Sequence, residues 1–69
     1  MSSPTITVNA EPKPLHPGMT LRALIIEMGL EKNAVAAEVN GTLVPRRQQD
    51  THILQPGDKI ELVSLVGGG

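Results

Sequence analysis

The stretch that decides the fold is residues 17–30, PGMTLRALIIEMGL. Four of its apolar residues recur at the spacing i, i+3, i+4, i+7, which places their side chains on one face of an α-helix. These residues are Leu21, Leu24, Ile25 and Met28. Thr20 can cap the first amides of this helix. Gly29 can adopt the left-handed conformation that ends it, with Leu30 folding back on Ile25. A helix of about two turns is unstable alone, so we expect it to pack on a sheet.

Strand patterns precede the helix. Residues 5–9, TITVN, alternate β-branched and polar side chains, which predicts a strand with Ile6 and Val8 facing inward. A turn at residues 10–12 follows. We place a second short strand near residues 13–16. We expect this strand at a sheet edge, because the prolines around it cannot donate hydrogen bonds to a ladder.

Three more strands are predicted after the helix. They occupy residues 34–40, 42–44 and 59–65. Asn40-Gly41 joins the first two of these strands, because both residues tolerate the positive φ of a type I′ hairpin turn. Residues 46–55 are polar and irregular, and we expect Ile53 and Leu54 to enter the core from this segment.

Two strands, one helix and then three strands favour a two-layer α+β fold. In this β-grasp arrangement one main helix packs on one face of a mixed sheet of four or five strands. The last strand can lie beside the first through a right-handed crossover. We expect the domain to span residues 5–65, with a flexible N-terminus at residues 1–4 and a flexible glycine-rich tail at residues 66–69.

Composition narrows the classes of function. The chain has 69 residues and contains no cysteine, phenylalanine, tyrosine or tryptophan. Disulfides, thiolate catalysis and cysteine zinc sites are therefore excluded, as are aromatic platforms for stacking bases. Six Lys and Arg against seven Asp and Glu leave no basic excess for nucleic acid. The longest apolar run, residues 24–26, is far shorter than a membrane span. We expect a soluble, cytoplasmic protein that binds neither nucleic acid nor a membrane.

Side chains that could carry chemistry are scattered along the chain. His16 and His52 lie in separate segments without converging partners, so we expect neither an acid–base pair nor a metal site. The acidic residues are expected to be solvated surface. They are Glu27, Glu31, Glu38, Asp50, Asp58 and Glu61. We expect no catalytic residue in this chain and no cofactor bound by it.

The last predicted strand carries apolar side chains on both of its faces. Because one helix covers only one face of a sheet, we expect Ile60 and Leu62 to pack under the helix. Val63 and Leu65 would then lie on the open face. Exposed apolar residues beside a chain end indicate a docking surface, but single apolar residues are also common on protein surfaces. Arg46 has two similar interpretations, contact with an acidic partner or a place in a solvated loop.

The sequence ends with Val66, Gly67, Gly68 and Gly69. A terminal glycine run can be a frayed end or a cloning remnant. It can also be a working tail, because glycine lacks a Cβ and an extended glycine segment can thread a narrow channel. Four residues reach about 13 Å, enough to carry the Gly69 carboxylate into another protein's active site. A carboxylate is a poor electrophile, and adenylation by ATP is the general way to activate it.

Three segments carry a resemblance to a known family. They are VNGTLVPR at residues 39–46, PGDKIE at residues 56–61 and VGGG at residues 66–69. In this order, on so short a chain, they resemble the ThiS-type sulfur carriers of thiamin thiazole biosynthesis, which are small ubiquitin-like β-grasp proteins. Two departures from the family pattern are visible. Ala10 stands where glycine is common, and Gln49 stands where an aromatic residue is frequent.

The resemblance implies a cycle of sulfur transfer. An adenylyltransferase of the ubiquitin-activating type would use ATP to convert the Gly69 carboxylate into an acyl adenylate, with residues 66–68 threading its active site. A persulfide, formed from cysteine by a desulfurase, would displace AMP and leave a C-terminal thiocarboxylate. Thiazole synthase would then take the sulfur into the thiazole.

Three other functions stay open from the sequence. A carrier of the molybdopterin-synthase small-subunit type shares this ending but is usually longer, and it would copurify with the large subunit of that synthase. A ubiquitin-like protein modifier would form lysine adducts through Gly69. An interaction module would use the domain alone and carry an inert tail.

Overall fold

The structure, a computed structural model, describes residues 3–32 and 34–64. Its elements follow in the order β1 (Thr5–Val8), β2 (Glu11–Pro14), α1 (Leu21–Glu27), β3 (Val35–Val39), β4 (Thr42–Leu43), a 3-10 helix (Arg46–Gln48) and β5 (Lys59–Ser64). The strands form one sheet in the order β2-β1-β5-β3-β4. Strand β5 runs parallel to β1 and antiparallel to β3. The predicted α+β class, mixed sheet and main helix are confirmed.

Some of the predicted segments lie outside the described residues. These are residues 1–2 of the predicted flexible N-terminus, Leu65 at the end of the predicted domain, and the whole predicted tail, residues 66–69. Pro4 is described, and its carbonyl accepts a hydrogen bond of 3.0 Å from the Leu15 amide.

The helix begins and ends as its local sequence predicts. The Thr20 hydroxyl accepts a hydrogen bond of 3.0 Å from the Ala23 amide, which satisfies one of the free donors of the first turn. At the other end Gly29 has a φ of 77°, and its amide donates to the Ile26 carbonyl. The Leu30 amide donates to the Ile25 carbonyl, so the two bonds together form a Schellman cap.

The core lies between α1 and one face of the sheet. It consists of aliphatic side chains and one methionine: Ile6, Val8, Met19, Leu21, Leu24, Ile25, Ala37, Val39, Val44, Leu54, Ile60 and Leu62. Met28, the fourth residue of the predicted apolar helix face, is exposed. Met28 is the C-cap residue, and the chain reverses at Gly29, so the partly buried Leu30 packs on the core instead.

The prediction that Ile53 enters the core is wrong, whereas the prediction for Leu54 is confirmed. Ile53 is 46% exposed and Leu54 is buried. Ile53 forms an antiparallel bridge with Thr20, and the Leu54 amide donates to the Met19 carbonyl. In an extended segment neighbouring side chains point to opposite sides, so only one of the two can face the core.

The second strand starts earlier than the predicted residues 13–16. The turn is only two residues long, because Asn9 and Ala10 both have positive φ values, 49° and 71°. Val8 therefore pairs directly with Glu11, and β2 occupies the outer edge of the sheet, where its prolines are tolerated. The predicted hairpin turn at Asn40-Gly41 is confirmed by φ values of 54° and 84°.

The prediction that Asp58 is solvated surface is wrong. Its side chain is largely buried, and both carboxylate oxygens accept hydrogen bonds. Oδ1 accepts from the Asn40 side-chain amide at 2.9 Å, and Oδ2 accepts from the Gln55 amide at 2.8 Å. The Lys59 amide donates to Oδ1 of Asn40 at 2.9 Å. The carboxylate thus ties the β3–β4 turn to the turn before β5. The other five predicted surface acids are exposed.

We predict that Ala10→Gly stabilises the domain. A left-handed conformation at a residue with a Cβ costs about 1 kcal/mol, and glycine removes most of that cost. For a domain of this size we expect a rise in melting temperature of roughly 4 °C. Ala23→Gly is the matched control, because Ala23 lies exposed in α1 and glycine lowers helix stability there by about 1 kcal/mol. A melting temperature for Ala10→Gly below that of the wild type would contradict the strained turn.

We predict that Asp58→Ala lowers the free energy of unfolding by about 2 kcal/mol, because it leaves the Asn40 and Gln55 donors without their acceptor. Asp50→Ala is the control, since Asp50 is exposed and we expect a change within about 0.5 kcal/mol. Urea unfolding measures both. Equal effects of the two substitutions would show that the Asp58 bonds contribute nothing specific.

Candidate functional site

The site that the structure describes is the base of the tail, the last part of β5. The burial of β5 alternates, with Ile60 and Leu62 facing α1 and Lys59, Glu61 and Val63 on the opposite face. Val63 is 57% exposed, as the sequence predicted. The predicted sulfur-carrying residue Gly69, the predicted threading residues Val66, Gly67 and Gly68, and the docking candidate Leu65 lie outside the described residues.

Strand β5 is held on both sides as it approaches the tail. On one side β3 pairs with it as far as Val35, which lies opposite Ser64. On the other side the β1 pairing ends with Val8 opposite Ile60. Beyond that point, the hydrogen bonds to β5 on this side come from Asn9. Its backbone amide donates to the Ile60 carbonyl at 2.9 Å, and its side chain bonds to the backbone of Leu62.

Asn9 is a residue whose role the sequence analysis missed. Its Oδ1 accepts from the Leu62 amide at 2.8 Å, and its Nδ2 donates to the Leu62 carbonyl at 3.3 Å. The available signal was an asparagine as the last residue of the predicted strand 5–9, a residue type that tolerates a left-handed conformation and bonds to nearby backbone. That signal indicates a turn. It does not reveal a partner 53 residues away.

The open face of the sheet next to the tail base combines apolar and acidic side chains. Val63 lies opposite Ala36, and Leu43 on β4 is 61% exposed. Glu38 and Glu61 lie directly opposite each other on β3 and β5. Like charges at such positions destabilise a sheet. The surface is therefore not optimised for the stability of the isolated domain.

Arg46 is exposed and begins the 3-10 helix that follows β4. The Val44 amide donates to the Ala37 carbonyl, so the chain after β4 runs back along β3 toward the end of the sheet where β5 finishes. Arg46 follows β4 and Val63 lies on β5, so both lie toward the same end of the sheet, in which β3 separates β4 from β5. The docking role of these residues stays a prediction.

Gln49 lies where an aromatic residue is frequent in the resembling family, and the structure gives it a structural role. Its side chain is buried, with 2% exposure, and its Nε2 donates to the Val44 carbonyl at 3.3 Å. Its own carbonyl accepts from the Arg22 amide at 2.9 Å. Gln49 therefore fastens the segment after β4 to the first turn of the helix. Sequence reasoning missed this burial.

Histidines and acids do not converge in the part of the chain that is described. His16 lies 3.9 Å from Glu27, but both side chains are exposed, and His52 lies elsewhere on the surface of the fold. Within residues 3–32 and 34–64, no three histidine or acidic residues are grouped to hold a metal ion. The helix in these ranges is too short to cross a membrane.

A cleft of ≈ 420 Å³ opens on the sheet face beside the Asn40-Gly41 turn. It is lined by Glu38, Asn40, Gly41, Lys59 and Glu61, so every lining residue except Gly41 is charged or polar. Small-molecule sites are usually apolar pockets with a few polar groups. What the arrangement of the described residues favours is presentation of a strand end and an exposed face to another protein.

Comparison with known proteins agrees with this geometry. The model of the ThiS family matches residues 6–69. The sulfur carrier protein ThiS of Thermus thermophilus is 39% identical, with the match covering 93% of this chain and 98% of that protein. The sulfur carrier protein ThiS of Escherichia coli is 35% identical over 75% of this chain and 79% of its own length.

A solved structure supports the fold assignment. The crystal structure of the thiamine biosynthesis protein ThiS from Geobacter metallireducens superposes with a TM-score of 0.76 and 25% identity. The match covers 94% of this chain and 99% of that one. The predicted β-grasp arrangement is thereby confirmed.

Two longer proteins also contain a similar segment. A thiazole synthase of Paramagnetospirillum magneticum is 34% identical over 93% of this chain, and one of Magnetococcus marinus is 38% identical over the same share. This chain spans only 20% of the length of each of these thiazole synthases.

We predict that Val63→Lys weakens binding to an adenylyltransferase of the ubiquitin-activating type about tenfold, because it removes an apolar contact from the expected docking surface. The free energy of unfolding should change by less than about 0.5 kcal/mol, since Val63 is exposed. Calorimetric titration and thermal unfolding measure the two quantities.

The control for Val63→Lys is Thr5→Lys, which places the same side chain on an exposed strand position. The Thr5 carbonyl bonds to Gly57, so Thr5 lies at the end of the sheet far from the tail base. Equal binding by the two variants would contradict the docking surface, and a large loss of stability in Val63→Lys would place Val63 in the core.

Proposed function

Because the chain belongs to the ThiS family, whose members are small sulfur carriers and not enzymes, we propose that it carries sulfur on the carboxylate of Gly69 for thiazole formation in thiamin biosynthesis. The observation that carries the proposal is the family match over residues 6–69, which includes nearly the whole sheet and the glycine tail. The proposal requires that the mature chain end at Gly69.

The described geometry supports a carrier of this kind. The central strand β5 leads to the tail and is paired on both sides. A tail that starts from a fixed strand presents its end within a limited distance of a fixed point on the domain. The four residues 66–69 extend to about 13 Å, and three of them lack a Cβ that would collide with channel walls.

In the proposed activation step, an adenylyltransferase of the ubiquitin-activating type binds the domain and uses ATP. A Gly69 carboxylate oxygen attacks the α-phosphorus of ATP, and pyrophosphate leaves. The product is an acyl adenylate, in which AMP is a good leaving group. The partner would bind the open face around Val63, together with Leu65 and Arg46, while residues 66–68 thread its active site.

In the proposed sulfur step, the terminal sulfur of a protein persulfide attacks the acyl carbon of Gly69, and AMP leaves. A cysteine desulfurase supplies that persulfide. The acyl group is then joined to the donor through an S–S bond. A thiol cleaves this bond, is itself oxidised to a disulfide, and leaves Gly69 as the thiocarboxylate. This chain needs no cysteine for the cycle, because its sulfur is bound to a carbonyl carbon.

Thiazole synthase is the proposed acceptor of the sulfur. The two thiazole synthases that contain a segment similar to nearly the whole of this chain support this pairing over a pterin-forming partner. A cycle that consumes ATP and needs reduced thiols also favours the cytoplasm as its location.

We predict that incubation with its adenylyltransferase, ATP, a persulfide donor and a reducing thiol raises the mass of the intact protein by about 16 Da, the difference between sulfur and oxygen. Intact mass spectrometry measures the gain and also establishes that the unreacted chain ends at Gly69. Absence of the gain with a partner of verified activity would defeat the proposal.

Two variants locate the modification in the tail. Deletion of Gly69 and substitution Gly68→Trp should both abolish the mass gain while the melting temperature stays that of the wild type. Charging of either variant at the wild-type rate would show that the terminus is not threaded as proposed. Lysine-linked adducts in place of the thiocarboxylate would assign the protein to the conjugating modifiers.

A further inference from the structure

We propose that Asn9 is a positioning residue that fixes the point at which the tail leaves the domain. The inference rests on the proposed function, since it concerns how the same tail is presented to the activating enzyme. The Asn9 side chain lies on the first hairpin, 53 residues along the chain from Leu62, the residue of β5 that it holds.

The hydrogen bonds of Asn9 extend the ladder between β1 and β5 beyond the last backbone pair, Val8 and Ile60. In a parallel pair, a residue whose amide donates to the Ile60 carbonyl accepts, through its own carbonyl, from the Leu62 amide. The Asn9 amide does donate to the Ile60 carbonyl, at 2.9 Å. The Leu62 amide, however, donates to Oδ1 of the Asn9 side chain, at 2.8 Å. The side-chain carbonyl therefore replaces the main-chain carbonyl of the same residue.

This replacement follows from the conformation of the turn. Asn9 has a φ of 49° because β1 reverses into β2 there, so its backbone no longer has the extended conformation of a ladder. An asparagine side chain supplies an acceptor and a donor on one planar group. The donor is also used, because Nδ2 bonds to the Leu62 carbonyl at 3.3 Å. Both backbone groups of Leu62 are thus engaged by one side chain.

The two hydrogen bonds from the Asn9 side chain to the Leu62 backbone form a clamp on β5, and this clamp lies close to the start of the tail. Leu62 is the last buried residue of β5, and Val63 and Ser64 are the described residues that lie between it and the tail. Without the clamp, β3 would hold this end of β5 from one side only. Movement of the strand end would then displace Gly69, because the tail continues from β5. A misplacement of about 1 Å at a reacting atom can reduce a rate roughly 100-fold.

Asn9 bonds to the backbone of β5 and takes no part in the proposed chemistry, so its contribution is expected in one kinetic constant only. The proposed docking residues are Val63, Leu65 and Arg46, not Asn9, and Val63 lies on the face of β5 opposite to the core. Loss of the clamp should therefore lower kcat for adenylate formation and leave KM for the carrier unchanged. A general loss of structure would change both constants together with the melting temperature.

The test uses three variants of the full chain with the adenylyltransferase, ATP and labelled pyrophosphate. Asn9→Gly removes both side-chain bonds and keeps a residue that accepts positive φ. Asn9→Asp keeps the acceptor for the Leu62 amide but places a carboxylate oxygen against the Leu62 carbonyl. Ala10→Gly is the matched control, because it changes the same turn and leaves the clamp intact. Pyrophosphate exchange gives kcat and KM, and hydrogen exchange at the Leu62 amide reports the clamp directly.

For Asn9→Gly we expect faster hydrogen exchange at the Leu62 amide, a kcat lowered at least about tenfold and a KM within about twofold of the wild type. Asn9→Asp should lie between Asn9→Gly and the wild type, and it decides the question if Asn9→Gly is unfolded at the assay temperature. Ala10→Gly should match the wild type in both constants.

A wild-type kcat in an Asn9 variant whose Leu62 amide has lost protection overturns the inference and leaves the proposed function intact. A change in KM alone overturns it as well, because it would assign Asn9 to docking. Absence of exchange with the wild-type chain and an active partner would instead defeat the proposed function, and the inference with it.

Discussion

Strand β5 has a strand on each side and the helix against one face, and the rest of the domain depends on this central position. Its two buried side chains, Ile60 and Leu62, complete the apolar layer under α1. Its pairing with β1 is parallel, which requires the chain to cross the sheet through the helix before it can return. The first and last strands are therefore held together only when the whole domain is folded. The segment that leads to the tail is also the segment that closes the fold.

Hydrogen bonds from polar side chains add to the limited stability that a small apolar core provides. In a domain of this size the apolar core contributes only about 3–5 kcal/mol of net stability. At several places where the chain leaves the sheet, a polar side chain bonds to backbone groups or to another polar side chain. These residues are Asn9, Asn40, Gln49 and Asp58. Each bond joins segments that a turn would otherwise leave free, so the ends of the strands are fixed without disulfides or aromatic packing.

This organisation fits a protein that is acted on by others. A carrier needs no catalytic side chains, because its partners supply the activation and the transfer. It needs a stable body, a surface that partners recognise and an end that enters their active sites. The directly opposed Glu38 and Glu61 beside the apolar Val63 show that stability of the isolated body is not the only constraint on the open face. A partner that covers this face would change the electrostatic repulsion between these two carboxylates.

Elements with local causes could be predicted from the sequence by itself. The cap at Thr20, the helix end at Gly29 and the turn at Asn40-Gly41 each depend on the conformational preferences of a few neighbouring residues. The alternation in β5 likewise predicted which side chains face the helix. Membership of the ThiS family was indicated by the ordered motifs and the glycine ending, and the match to the family model shows it.

Other features were decided only by the tertiary structure. The start of β2 depends on how the Asn9-Ala10 turn pairs Val8 with Glu11, and the choice between Ile53 and Leu54 depends on the bridge to Thr20. The burial of Asp58 depends on Asn40, 18 residues away, and the role of Asn9 depends on Leu62. Local sequence fixes backbone preferences, because those involve adjacent atoms. It does not fix which distant donor meets which acceptor, because that pairing exists only after the strands have found their register.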